Sequence, residues 1–285
     1  MRFDDTVVVG VDERPDEDVL RWAAGEAAAR GVRLCVCLVW EWSGVDRGPL
    51  PLPEDPADIR TPGEKVVAGA LDLVRGWQPD LPVSGAIAYG RPAVTLITVS
   101  DQAAMVVMGA RGTGGFRGLL TGSVAGHVAA HARCPVAVVG RAPAAGATDV
   151  VVGVDGSAQS YAALRLGVFE ARRFGGALIP VHAYRLPPLP AAYGPNPGVD
   201  AESHRVAAEE RLDRALAGVE TDAPDVKMQR WVVHGAPAAA LADASDGAAA
   251  LVVGARGLGG FAGLVLGSVS QQVIRHAPCP VVVAR

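Results

Sequence analysis

The chain carries nearly the same sixteen-residue sequence twice, GARGTGGFRGLLTGSV from Gly109 and GARGLGGFAGLVLGSV from Gly254, 145 residues apart. Glycine is costly to order, and it is kept where backbone must come close to something or adopt an unusual conformation. Each copy runs from the end of an apolar strand into a helix that starts near Ser123 or Ser268. The start of a helix offers unpaired N–H groups and the positive end of a dipole, which suits an anion such as phosphate. Gly112 and Gly122, and in the second copy Gly257 and Gly267, leave out side chains that would hold a phosphate away from the backbone. Ser123 and Ser268 are placed to cap those helices or to donate a hydroxyl. Hydrogen bonds to a charged group contribute about 1.5–3 kcal/mol each, so three or four hold a nucleotide at micromolar concentration. A plain turn followed by a serine-capped helix explains one such loop; the spacing G-x2-G-x9-G-S kept in both copies favours the anion reading. The pattern is neither GxxxxGK[ST] nor the GxGxxG that follows a first strand. Arg111 and Arg256, inside the motifs, either pair with a phosphate or point into solvent.

Other residues able to do chemistry are sparser. Asp12 and Asp155 follow the first strand of each copy and suit a phosphate-bound Mg2+, a ribose or a backbone contact. His127, His131, His182, His204, His234 and His276 form no common cluster in sequence, and His182 reads as a satisfied strand-end residue rather than a base. No Ser-His-Asp order recurs in both halves, which argues against nucleophilic catalysis. Cys35 and Cys37 share one strand face, while Cys134 and Cys279 occupy equivalent places before a late strand. Without CxxC spacing they read as buried free thiols in a reducing compartment, and no metal site is expected.

The elements that must position these residues are also written twice. TVVVGVDE at Thr6 matches DVVVGVDGS at Asp149, AYGRPAVTLITVS matches VHGAPAAALADAS, and RCPVAVVGR matches PCPVVVAR, with offsets between 143 and 145. A tandem duplication of about 140 residues follows, one domain's worth per copy. We place the first domain at 1–141, a Pro/Ala/Gly linker at 142–148 and the second domain at 149–285. In the first copy the patterns predict strands over 6–11, 32–40, 83–88, 105–109 and 136–139. Helices are predicted over 16–30, 64–76, 92–100 and 123–132, with loops around 41–60 and, in the second copy, 184–200. Strands apolar on both faces alternating with helices imply a parallel sheet covered on both sides. The fold class is α/β: two tandem, doubly wound, five-stranded parallel-sheet domains, whose ligands sit beyond the carboxyl ends of the strands.

The bulk composition narrows the partners. Half of the 285 residues are hydrophobic, a fifth are charged, and the formal net charge is −4. That balance gives no electrostatic footprint for nucleic acid. No apolar run reaches transmembrane length and the N-terminus has no signal-peptide pattern, so no membrane partner and a cytoplasmic location are expected.

On these residues the chain resembles the universal stress protein family, in its tandem-domain ATP-binding type, over essentially its whole length. The glycine motif is present as Gly109, Gly112, Gly122 and Ser123, and again as Gly254, Gly257, Gly267 and Ser268. The acid after the first strand matches Asp12 and Asp155, and the adenine-contacting position falls near Val39 and Ala183. The resemblance implies a Rossmann-like fold of the adenine nucleotide alpha hydrolase type with one ATP per domain. Phosphates would lie on the glycine loop with Mg2+ held through them. The lining would be completed by Gly10, Val11, Val124 and Arg111 in the first domain and by Gly153, Val154, Val269 and Arg256 in the second. It further implies a nucleotide-dependent stress-response regulator without catalytic residues, a homodimer, and a protein partner unnamed by the sequence. The alternative is a slow ATPase or adenylyl-transferring enzyme on the same scaffold. One departure stands out: the first copy has DERP where the second has the commoner DGS, which puts nucleotide occupancy of the first domain in doubt.

Overall fold

A computed structural model describes residues 5–40, 57–110, 122–186, 201–259 and 265–285. The chain forms two compact units, Met1–Ala142 and Pro143–Arg285. In the first, β1 (Thr6–Val11), α1 (Glu17–Arg30), β2 (Arg33–Trp40), α2 (Ala57–Trp77) and β3 (Val83–Tyr89) are followed by α3 (Pro92–Val99), β4 (Met105–Gly109), α4 (Ser123–His131) and β5 (Val136–Val139). The second repeats the order with β6 (Val150–Gly153), α5 (Ala158–Phe174), β7 (Leu178–Tyr184), α6 (Ala201–Asp222) and β8 (Trp231–His234). Then come α7 (Pro237–Ala244), β9 (Ala250–Gly254), α8 (Ser268–His276) and β10 (Val281–Ala284).

The strand order is β3-β2-β1-β4-β5 in the first unit and β8-β7-β6-β9-β10 in the second. All these neighbours run parallel. Continuous valine runs form these strands because a parallel strand is covered on both faces: Val7 to Val9 and Val150 to Val152 are fully buried. Helices α1 and α2 pack together, as do α3 and α4, and the second unit repeats the arrangement. The order reverses between β1 and β4, and between β6 and β9. At such a switch point the two helices leave in opposite directions and open a crevice beyond the carboxyl ends of the strands.

Helix ends follow local chemistry. Asp16 caps α1 by accepting from the Asp18 N–H, and Gly31 ends it at φ 66°. Ser157 caps α5 by accepting from the Ser160 N–H, and Gly175 ends it at φ 69°. Two expectations need correcting. Helix α2 begins at Ala57, well before the expected residue 64, and takes Pro62 into its second turn. Proline there forfeits only one early hydrogen bond, so the helix is not obliged to start after it. Ser123 and Ser268 are the first helical residues, not the caps; Gly122 and Gly267 hold the capping positions with extended backbone and no side-chain cap.

Two further charges are part of the fold. Glu26 on α1 and its counterpart Glu170 on α5 are fully buried, and each meets an arginine of its own helix. Arg30 Nε reaches Glu26 at 2.6 Å and an Arg173 terminal nitrogen reaches Glu170 at 2.9 Å. All four cysteines are buried and free, and burial pushes the Cys37 and Cys279 thiols up to about 12. Among the described residues no helix is long and apolar enough to cross a membrane.

Candidate functional site

The second unit shows how the repeated loop is built. Strand β6 ends at Gly153 and delivers Val154 and Asp155 to the switch point; β9 ends at Gly254 beside it. From there Ala255, Arg256, Gly257 and Leu258 turn across the mouth of the crevice. The loop is fastened at its base: the Gly267 N–H donates to the Ala255 carbonyl at 2.8 Å, and Ser270 Oγ donates to the Gly254 carbonyl at 2.7 Å. The first unit repeats the first of these bonds, Gly122 N–H to Ala110 carbonyl at 2.7 Å, but has Ala125 where the second has Ser270.

Asp155 holds the loop from the other side. One carboxylate oxygen accepts the Ser157 N–H at 2.9 Å and the other accepts the Leu258 N–H at 2.8 Å. Burial pushes the Asp155 carboxyl up, but hydrogen bonds from Ser157, from Leu258 and from Ser160 together outweigh it and hold it below the usual carboxylate range. The group is therefore an anion at neutral pH. Gln159, on the first turn of α5, accepts the Arg256 N–H through its carboxamide oxygen. The residues on either side of Gly257 are thus pinned to the β6–α5 junction. A side chain at Gly257 would place Cβ 2.2 Å from an Asp155 oxygen, so this glycine makes room for the protein's own carboxylate.

Gly267 is different. Its φ of −70° is open to any residue, and a Cβ there would meet no described atom closer than 3.5 Å. Among the described residues nothing requires glycine at this position. Beyond it the half-buried Val269 and exposed Ser268 start α8, and among the described residues no side chain caps their N–H groups. Glycine there puts no side chain of its own before a helix N-terminus, the geometry that accepts an oxyanion.

The remaining expected residues fall as follows. Gly10 and Gly153 sit under leucines of α3 and α7: a Cβ would lie 2.9 Å from Leu96 and 3.0 Å from Leu241, so helix packing accounts for both. Val11, at the end of β1, is half-buried; Val154 is buried, and its carbonyl lies 2.7 Å from His182 Nδ1, in hydrogen-bond contact. His182 is thereby a satisfied strand-end histidine, as its position suggested. Val39 and Ala183 lie one residue from the ends of β2 and β7, paired with Ala88 and Val233 and half-buried. Asp12 repeats the inner half of the Asp155 arrangement, accepting the Arg14 N–H at 2.9 Å. Gly109 ends β4, while Ser123 and Val124 open α4. Arg111 and Gly112 lie outside the described residues. Arg256 is exposed. On α4, the exposed His127 and His131 stand 4.7 Å apart by ring centroid, one helical turn from each other and away from the strand ends.

Gln159 is the residue that sequence reasoning missed. Its contact spans 97 positions, and the available signal was the mismatch of the two copies after the first strand. A cavity of about 650 Å3 lies at the opposite end of the second sheet. Its charged pair Arg172 and Asp225 is already joined by two hydrogen bonds of 2.6 and 2.7 Å, and the exposed Lys227 also lines it.

Comparison with known proteins agrees with this architecture. The model of the universal stress protein family matches residues 5–140 and again residues 147–285. Universal stress protein Rv2005c of Mycobacterium tuberculosis is 36% identical over 288 residues, covering 98% of this chain and 96% of its own length. Universal stress protein Rv2623 of the same organism is 34% identical over 292 residues, with the same shares covered. The crystal structure of a universal stress protein from Archaeoglobus fulgidus superposes with a TM-score of 0.70 at 22% identity, over 100% of this chain and 97% of that one, a likeness of fold.

Proposed function

The chain belongs to the universal stress protein family, and from that premise we propose that it is an ATP-binding regulator. The triphosphate lies on the glycine loop and its nucleotide state biases the partners it engages. The observation that carries this reading is Gly267: among the described residues no neighbour demands glycine there, and the N–H groups of Ser268 and Val269, with no side-chain cap from a described residue, follow it at the switch point of the sheet. In this reading ATP phosphates accept from that helix start, the adenine lies toward Ala183, and Mg2+ travels on the phosphates. The residues fit: the N–H groups that open α8 would donate to phosphate oxygens, and Mg2+ on the phosphates would offset the Asp155 anion near them. The first domain offers the corresponding positions at Gly122, Ser123, Val124, Asp12 and Val39.

The polar atoms around the loop support binding over turnover. Both Asp155 oxygens, the Gln159 oxygen, the Ser270 hydroxyl and His182 Nδ1 are engaged with backbone. Groups spent on holding a loop are poorly placed to move protons. A homodimer of whole chains, checked by light scattering, completes the reading.

The test is to denature freshly purified protein and identify the released nucleotide by mass spectrometry, counted per chain. Stoichiometric ATP supports the proposal. No nucleotide released, together with no binding on titration with millimolar ATP–Mg2+, overturns it; rapid turnover of labelled ATP would favour an enzyme instead.

A further inference from the structure

The two copies share one glycine motif but differ where the first strand meets its helix. In the second unit Gln159 and Asp155 accept the N–H groups of Arg256 and Leu258, so the loop is pinned on both sides of Gly257. In the first unit the position of Gln159 is held by Asp16. That carboxylate is committed elsewhere: it accepts the Asp18 N–H and caps α1, which therefore starts at Glu17. In the second unit the capping task falls to Ser157, two residues earlier in the repeat, which frees Gln159 to face the loop.

The charges differ too. Residues 12–18 of the first unit hold five acids (Asp12, Glu13, Asp16, Glu17, Asp18) against Arg14 alone, a formal −4; residues 155–161 hold Asp155 alone, a formal −1. Glu17 and Asp18 also lie in the first turn of α1 and offset the positive end of its dipole, whereas α5 has no acid in its first turn. Within a Debye length of about 8 Å, like charges are only partly screened, so a polyphosphate meets stronger repulsion at the first junction than at the second.

Resting on the nucleotide reading above, we infer that the two sites are unequal. The second unit is the high-affinity ATP site, with Gln159 as its positioning residue, and the first unit binds the same nucleotide far more weakly. Gln159 touches the loop rather than the ligand. Its carboxamide fixes the Arg256 peptide and leaves fewer arrangements to be ordered when phosphate arrives.

Calorimetric titration of the full chain with ATP–Mg2+ tests this. The wild type should give two separated events, a tight one near one ATP per chain and a second at least tenfold weaker. Gln159→Ala should weaken the tight event about 5–10-fold, the loss of one neutral hydrogen bond, and lower the thermal midpoint of the unliganded protein by about 2–4 °C. Gln159→Glu should weaken it further and make it more sensitive to salt. Gly267→Val should abolish the tight event and leave the weak one. Glu13→Gly with Asp16→Asn, which keeps a capping side chain, should tighten the weak event severalfold. Two equal events in the wild type, or an unchanged tight event in Gln159→Ala, overturns the inference while leaving the nucleotide reading intact; a tight event surviving Gly267→Val overturns the inference and removes the observation that carries that reading. No ATP binding by the wild type overturns both.

Discussion

Replacing Gly257 by alanine isolates the contact that holds the loop. The new Cβ would sit 2.2 Å from an Asp155 oxygen, where carbon and oxygen need at least about 3 Å. The carboxylate must therefore retreat by about 0.8 Å, which stretches its 2.8 Å bond from the Leu258 N–H to about 3.6 Å and ends it. A hydrogen bond to a charged acceptor contributes about 1.5–3 kcal/mol; for this half-exposed group we take about 1–2 kcal/mol. Gly257→Ala should destabilise the unliganded chain by that amount in urea denaturation followed by circular dichroism. Gly257 has an ordinary φ, so backbone strain adds nothing. Asp155→Ala removes the same bond together with that from Ser157. In the Asp155→Ala background the alanine at 257 has nothing to strike and should cost less than about 0.5 kcal/mol. The double-mutant cycle then shows a coupling of about 1–2 kcal/mol. Additive losses, with Gly257→Ala costing as much without Asp155 as with it, would refute the latch.

Three further outcomes follow from the same geometry. The Asp155 carboxyl is held below its ordinary value of 3.8, so the stability it contributes is complete above that value and drains as pH falls through the lower folded one. The stability difference between wild type and Asp155→Asn should accordingly shrink between neutral pH and about pH 3, and a constant difference would contradict the linkage. Burial raises the Cys37 and Cys279 thiols to about 12, so a disulfide reagent at mildly alkaline pH should modify neither in the native chain and all four cysteines after unfolding. Arg173→Met takes from the fully buried Glu170 a cation that contacts it at 2.9 Å. It should cost about 3 kcal/mol in chemical denaturation, and Glu170→Gln added to it should recover part of that loss.

Much of the architecture is legible in the sequence because buried parallel strands leave a plain mark. VVVG recurs after Thr6 and Asp149, and each run is a strand at the centre of its sheet. Val136–Val139 and Met105–Gly109 are likewise strands at the expected bounds. The start of α2 was less legible, since Pro62 reads as a boundary in sequence while a helix tolerates it near its beginning. The capping positions were ambiguous for a related reason. Glycine and serine both serve there, and only the extended ψ of Gly122 and Gly267 shows which residue precedes the helix. The roles of the glycines could not be separated from spacing alone. Gly257 answers to Asp155, 102 residues earlier, and Gly267 to no atom of the described residues in close contact. Gln159 was invisible because its oxygen meets a backbone group brought near only by the pairing of β6 with β9.

The most direct test of the central proposal is a titration of isotope-labelled protein with ATP–Mg2+, read at the backbone amides by nuclear magnetic resonance. The account predicts the largest shifts at Gly257, Gly267, Ser268 and Val269, saturating at micromolar ATP and absent in Gly267→Val. Shifts confined to other parts of the chain, or none up to millimolar nucleotide, would contradict it.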